Sequence, residues 1–108
     1  MEQFIEDVLS VVKAHLKVTF TGQDNDIRGH IRSGMANITK WTGFRDFAVG
    51  ADITDTQVMA LALLKEYVRY RRDGAGYLFR SDYLSEIYDL QFKVVEDSVK
   101  KKAQQTNI

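Results

Sequence analysis

The stretch Thr54–Asp73, TDTQVMALALLKEYVRYRRD, decides the fold. Thr54 and Gln57 stand at capping-box spacing, so each side chain can satisfy a backbone N–H that the first helical turn leaves unpaired. Val58 to Leu64 is then apolar without interruption. The run is too short to span a bilayer, and a helix apolar on all sides is normally surrounded by protein. It is expected to form the buried centre of the domain, with Leu61 and Leu64 almost fully enclosed. The second half is amphipathic. Lys65, Arg69 and Arg72 recur along one face, while Leu64, Tyr67, Val68 and Tyr70 lie off it. Asp73-Gly74 stops the helix, with Gly74 suited to the left-handed C′ position. The stretch explains folding and carries no obvious chemistry.

Upstream, Asp26 to Trp41 predicts a second helix. Ile27, Ile31, Gly34, Ile38 and Trp41 step by four and three along a narrow apolar seam. A glycine inside a helix costs about 1 kcal/mol relative to alanine. Gly34 therefore predicts the close approach of another helix, with Val58–Leu64 the expected partner. Asp24 or Asn25 is the expected cap. Asp24-Asn25-Asp26 also begins like a calcium loop, but Arg28 and Met35 stand at the fifth and twelfth positions, where oxygen ligands are required, so calcium is rejected. Glu2 to Lys17 predicts a first amphipathic helix on Phe4, Ile5, Val8, Leu9, Val12 and Leu16, with acids early and lysines late. His15 lies beside its apolar face. No second histidine stands at ligand spacing, so it reads as a hydrogen-bonded boundary residue. Lys17–Gln23 is a connector with room for a short extended piece.

Downstream of that seam, Thr42 to Ile53 reads as a loop punctuated by Gly43 and Gly50. Its apolar Phe44, Phe47 and Val49 either fold back over the core or wait for a partner. Asp73 to Arg80, DGAGYLFR, reads as a mobile glycine turn in which Tyr77, Leu78 and Phe79 either anchor the segment or stay exposed. Its glycines do not make a phosphate fingerprint. Ser81 to about Val99 predicts the last helix, with Leu84, Ile87, Tyr88, Gln91, Val94 and Val95 as its apolar face. Ser98–Ile108 is polar and aperiodic and is expected to be disordered alone. Lys100, Lys101 and Lys102 either complement the helix dipole or contact an acidic partner or phosphate. The expected fold is all-α, a compact bundle of about four helices around Thr54–Asp73. Residues 1–97 form one domain and residues 98–108 a flexible tail.

Composition bounds the function. A chain of 108 residues with 44% hydrophobic content is one domain with a modest core. Zero formal net charge argues against a general electrostatic grip on nucleic acid. The absence of cysteine excludes disulfides and thiolate metal sites. The absence of proline suits long uninterrupted helices. MEQFIEDVLS lacks the basic and long apolar regions of a signal peptide, so a soluble cytoplasmic product is expected. There is no P-loop, H-E-x-x-H or G-x-S-x-G, and Asp52 and Asp55 flank a helix start where acids belong. No catalytic, cofactor or metal residue emerges, and no enzyme activity is expected. Tyrosines and arginines cluster in the second half, as they do at protein interfaces. The candidate partner-binding residues are Phe44, Phe47, Val49, Tyr77, Leu78, Phe79, Lys100, Lys101 and Lys102.

The order of these motifs resembles a known family. An amphipathic N-terminal helix leads to D-x-x-I-x-x-x-I-x-x-G at Asp24–Gly34, followed by Ile38 and Gly43. Then come A-L-x-L-L-x-x-Y-V-x-Y-R at Ala60–Arg71 and S-D-Y-L-S-E-I-Y-D-L-Q at Ser81–Gln91. This resembles the small all-helical head–tail connector proteins of long-tailed double-stranded DNA phages, also called head-completion or adaptor proteins. The resemblance runs to about Val95 and rests on hydrophobic spacings. It implies a ring of copies, twelve-fold when assembled, beneath the portal protein in the virion neck, with the host cytoplasm as its place before assembly. Such a ring extends the channel through which genomic DNA passes without sequence-specific binding. It also offers a platform for the next neck, stopper or tail-completion protein, and it involves neither cofactor nor membrane. The alternative is a small helical DNA-binding regulator using Lys100–Lys102 and Arg69–Arg72.

Overall fold

Five helices make up the computed structural model, which describes residues 2–19 and 21–106, with side chains at 3–19 and 21–102. They are α1 (Glu2–Leu16), α2 (Asp24–Thr42), α3 (Asp55–Arg72), α4 (Gly76–Asp82) and α5 (Leu84–Thr106). No strand occurs among the described residues. The central helix α3 begins as its sequence dictates. The Gln57 N–H donates to Thr54 Oγ1 at 3.1 Å, and the Thr54 N–H donates to Gln57 Oε1 at 2.9 Å. Gln57 Nε2 also donates to the Asp46 carbonyl at 2.9 Å, which ties the preceding loop to the helix start. At the other end Gly74 takes φ 73°, the left-handed conformation that stops the helix.

The principal packing is α3 on α2. Leu64 and Val68 of α3 are fully buried with Ile27, Ile31 and Ile38 of α2. Gly34 is the point of closest approach, as its seam position predicts. A Cβ there would lie 2.6 Å from Leu64 Cδ1 and 2.9 Å from Tyr67 Cδ1. The Tyr67 ring is held in place, because its hydroxyl accepts from Asn37 Nδ2 at 2.8 Å and bonds the Ser33 hydroxyl at 2.9 Å. Gly34→Leu is expected to overpack this crossing and destabilise the domain by about 1–3 kcal/mol. The measurement is the urea midpoint at unchanged slope. A variant as stable as the parent would contradict the crossing. Helix α1 completes the core with Ile5, Val8 and Val12, and α5 adds Ile87 and Leu90.

Several expectations need correction. The apolar run of α3 is not enclosed on all sides: Val58 is 51% exposed and Leu61 only partly buried. A chain of this size has too few helices to surround a central one. Helix α2 starts at Asp24, and Gln23 is its N-cap without a side-chain cap bond. Asp24 instead pairs with Lys13 of α1 at 2.8 Å. The loop before α3 folds inward. Thr42 Oγ1 donates to the Ile38 carbonyl and accepts from the Phe44 N–H, which steers Phe44 into the core. Phe47 and Val49 pack against that core from outside.

DGAGYLFR is not simply a turn. Gly76 opens α4, and Phe79 is fully buried. The last helix starts at Leu84 and continues to Thr106, past the expected end near Val99 and through most of the segment expected to be a flexible tail. No glycine or proline interrupts it, and Glu96 takes ion pairs from Lys93 and Lys100 at helical spacing. Phe20, Asn107 and Ile108 lie outside the described residues.

Candidate assembly surface

Helix α5 is apolar on two opposite faces. Ile87, Leu90 and Val94 turn inward, the first two fully buried. Tyr88, Phe92, Val95 and Val99 recur by four, three and four on the other side. They remain exposed, Phe92 to 76% and Val99 to 61%. Leu84 extends the same side towards α4, where Tyr77 and Leu78 are exposed as well. Large apolar side chains at heptad-like spacing are what a helix presents to another helix. From Val95 to Lys102 every side chain of α5 is exposed; Asp97 still accepts from the Thr56 hydroxyl of α3, and past it the helix continues as an arm.

Two clefts flank the core. One, of about 430 Å³, is floored by Ile5, Met35, Ala36 and Phe47, with Arg32 and Arg45 at its edge. The other, of about 230 Å³, lies between α3 and α5. Met59, Ala62 and Leu63 form its apolar floor, and Glu66, Glu86 and Asp89 its rim.

Glu66 is also a structural hub. Its carboxylate accepts from Arg69 Nε at 2.7 Å, from the Tyr83 hydroxyl at 3.1 Å, and faces His15 Nε2 at 3.1 Å. His15 is thus a hydrogen-bonded boundary residue, as expected. One carboxylate ties α1, α3 and the start of α5 together. Burial pushes the Glu66 carboxyl up, but the hydrogen bonds from Arg69, His15 and Tyr83 outweigh it and hold it below the ordinary carboxylate value. A folded-state pKa below the unfolded one means that the unfolded chain binds more protons as pH falls. The contribution of Glu66 is therefore complete above the ordinary carboxylate value and lost as pH drops through the folded one. Glu66→Gln should flatten the acid limb of the melting temperature below about pH 5. A variant with the parent's acid limb would contradict this role.

The predicted partner-binding residues separate. Phe44 and Phe79 are core residues and leave the candidate surface. Phe47 and Val49 are half-buried on the core. Tyr77, Leu78, Lys100, Lys101 and Lys102 are exposed, with Lys100 paired to Glu96 at 3.1 Å. The structure therefore spreads the candidates over three places rather than one site. The residues that sequence reasoning missed are Phe92 and Val99. Their signal was present in the four-three-four spacing from Tyr88, which the inward face had obscured. The arginines of the regulator alternative are exposed, and each has an intramolecular partner. Arg69 pairs with Glu66 at 2.6 Å, Arg71 lies over the Tyr67 ring, and Arg72 bonds Gln23 at 3.1 Å.

No family model, curated protein or solved structure matches this chain. Among the described residues no group of three His, Cys, Asp or Glu side chains stands close enough to hold a metal ion. No described helix is long and apolar enough to cross a membrane.

Proposed function

We propose that this protein is a structural subunit of a phage neck: a non-enzymatic head–tail connector that forms a ring under the portal, extends the DNA channel and receives the next neck or tail protein. The observation that carries this reading is the outward face of α5. Four large apolar side chains on an exposed helix leave surface to be covered by protein. The all-helical architecture agrees with the connector resemblance of Asp24–Gly34, Ala60–Arg71 and Ser81–Gln91. The DNA-regulator reading is weaker, because Arg69, Arg71 and Arg72, though exposed, each already hold an intramolecular partner and the formal net charge is zero.

Two binding assays separate the readings. Immobilised portal protein from the same phage should retain the purified chain, and duplex DNA at low micromolar protein should migrate unchanged. Failure on portal together with a salt-dependent shift of DNA would favour the regulator.

A further inference from the structure

We propose that the α5 arm of one copy docks into the acid-rimmed groove between α3 and α5 of the next, which rests on the ring reading above and names the contact that builds the ring. The arm and the groove are complementary in polarity and in charge: each joins apolar side chains to exposed charges of opposite sign. Val95 and Val99 stand one helical turn apart on the exposed arm, and Lys102 continues their stripe. Lys101, also exposed, stands on the far side of the helix from Val99 and adds positive charge to the end of the arm. The groove offers an apolar floor of Met59, Ala62 and Leu63. Its rim carries Glu86 and Asp89, both exposed and without an ion pair among the described residues. Glu66 adds a third acid, already engaged by Arg69 and Tyr83. An amphipathic helix laid into a groove seats its apolar side chains on the floor and sets its charges against the rim.

The arm cannot serve its own groove. Asp89 and Lys102 belong to one unbroken helix and stand roughly 20 Å apart along it at 1.5 Å per residue. A second copy must supply the arm. Donor and acceptor surfaces differ, so every docked copy still presents one of each, and such head-to-tail contacts close into rings when the rotation permits. The arm also needs a partner on its own account. A free-standing helix this short is marginal in water, and its valines gain burial only against another chain.

Charge exchange tests the contact. Three variants of the full chain are required: Glu86→Lys with Asp89→Lys, Lys101→Glu with Lys102→Glu, and all four together. The positions are exposed, and unchanged thermal melts confirm folding. Sedimentation velocity is run for each alone, for the two double variants mixed, and for each with portal protein. The parent should form assemblies that weaken with salt, alone or on the portal. Each double variant should lose them, and both the mixture and the fourfold variant should regain them. Double variants that assemble like the parent would overturn the docking and leave the ring reading standing. Loss without regain would overturn it too, because the acids and lysines then do not meet. A parent chain that binds neither itself nor the portal would overturn both.

Discussion

Phe79→Ala should lower the unfolding free energy by about 3–5 kcal/mol, the range for deleting a buried aromatic side chain. Phe79 is fully buried although it sits on the short helix α4, next to a glycine turn. Its ring stacks on Tyr83 at 4.8 Å and meets Tyr67 and Tyr70 edge-on at 5.2 and 5.5 Å. Trp41 of α2 lies on another side at 6.2 Å. The side chain thus joins α2, α3 and the start of α5, and no smaller residue reaches all of them. Such a loss is a large share of the 5–15 kcal/mol that holds a typical domain together. For a domain near this size each kcal/mol moves the melting temperature by roughly 4 °C or more. Tyr77→Ala, two residues away and 83% exposed, should leave the melt nearly unchanged. Equal effects from the two substitutions would place Phe79 on the surface.

Leu64→Ala should cost about 2–5 kcal/mol, and Leu61→Ala clearly less. Both residues belong to the same apolar run, and periodicity alone ranks them together. Leu64 is fully buried and fills the space left by the missing side chain of Gly34, so truncation opens a cavity at the α2–α3 crossing. Leu61 is only partly buried, and water reaches the site that truncation would leave. Urea midpoints of the two variants at common slope provide the comparison. Equal losses would mean that α3 is rotated about its axis relative to the structure described.

Much of this architecture is legible from the chain. The capping box at Thr54, the left-handed stop at Gly74 and the close approach at Gly34 each follow from a residue type with one strong physical preference. What escapes is information that no single segment contains. Glycines on both sides of Ala75 mark a break, yet α4 forms because Phe79 finds four aromatic neighbours contributed by other elements. In α5, two apolar faces alternate along one helix, and only the positions of α2 and α3 decide that Ile87 and Leu90 go inside while Tyr88 and Phe92 remain outside. The polar composition of residues 98–108 argued for disorder, but an unbroken helix with Glu96–Lys100 pairing continues through that segment to Thr106. The loop aromatics Phe44 and Phe47 were ambiguous for a similar reason. The Thr42 hydroxyl, bridging Ile38 and the Phe44 N–H, turns the chain inward in a way that hydropathy does not reveal. The candidate surface was the least legible part, because exposure depends on what the fold leaves uncovered.

Imaging of the portal-bound protein tests the central claim most directly. Purified chain is added to portal rings, and negative-stain averages are compared with those of the portal alone. The connector reading predicts an added ring of density coaxial with the portal channel, sharing its rotational symmetry and leaving the channel open. Averages indistinguishable from the portal alone, with the chain remaining in the unbound fraction, would contradict it.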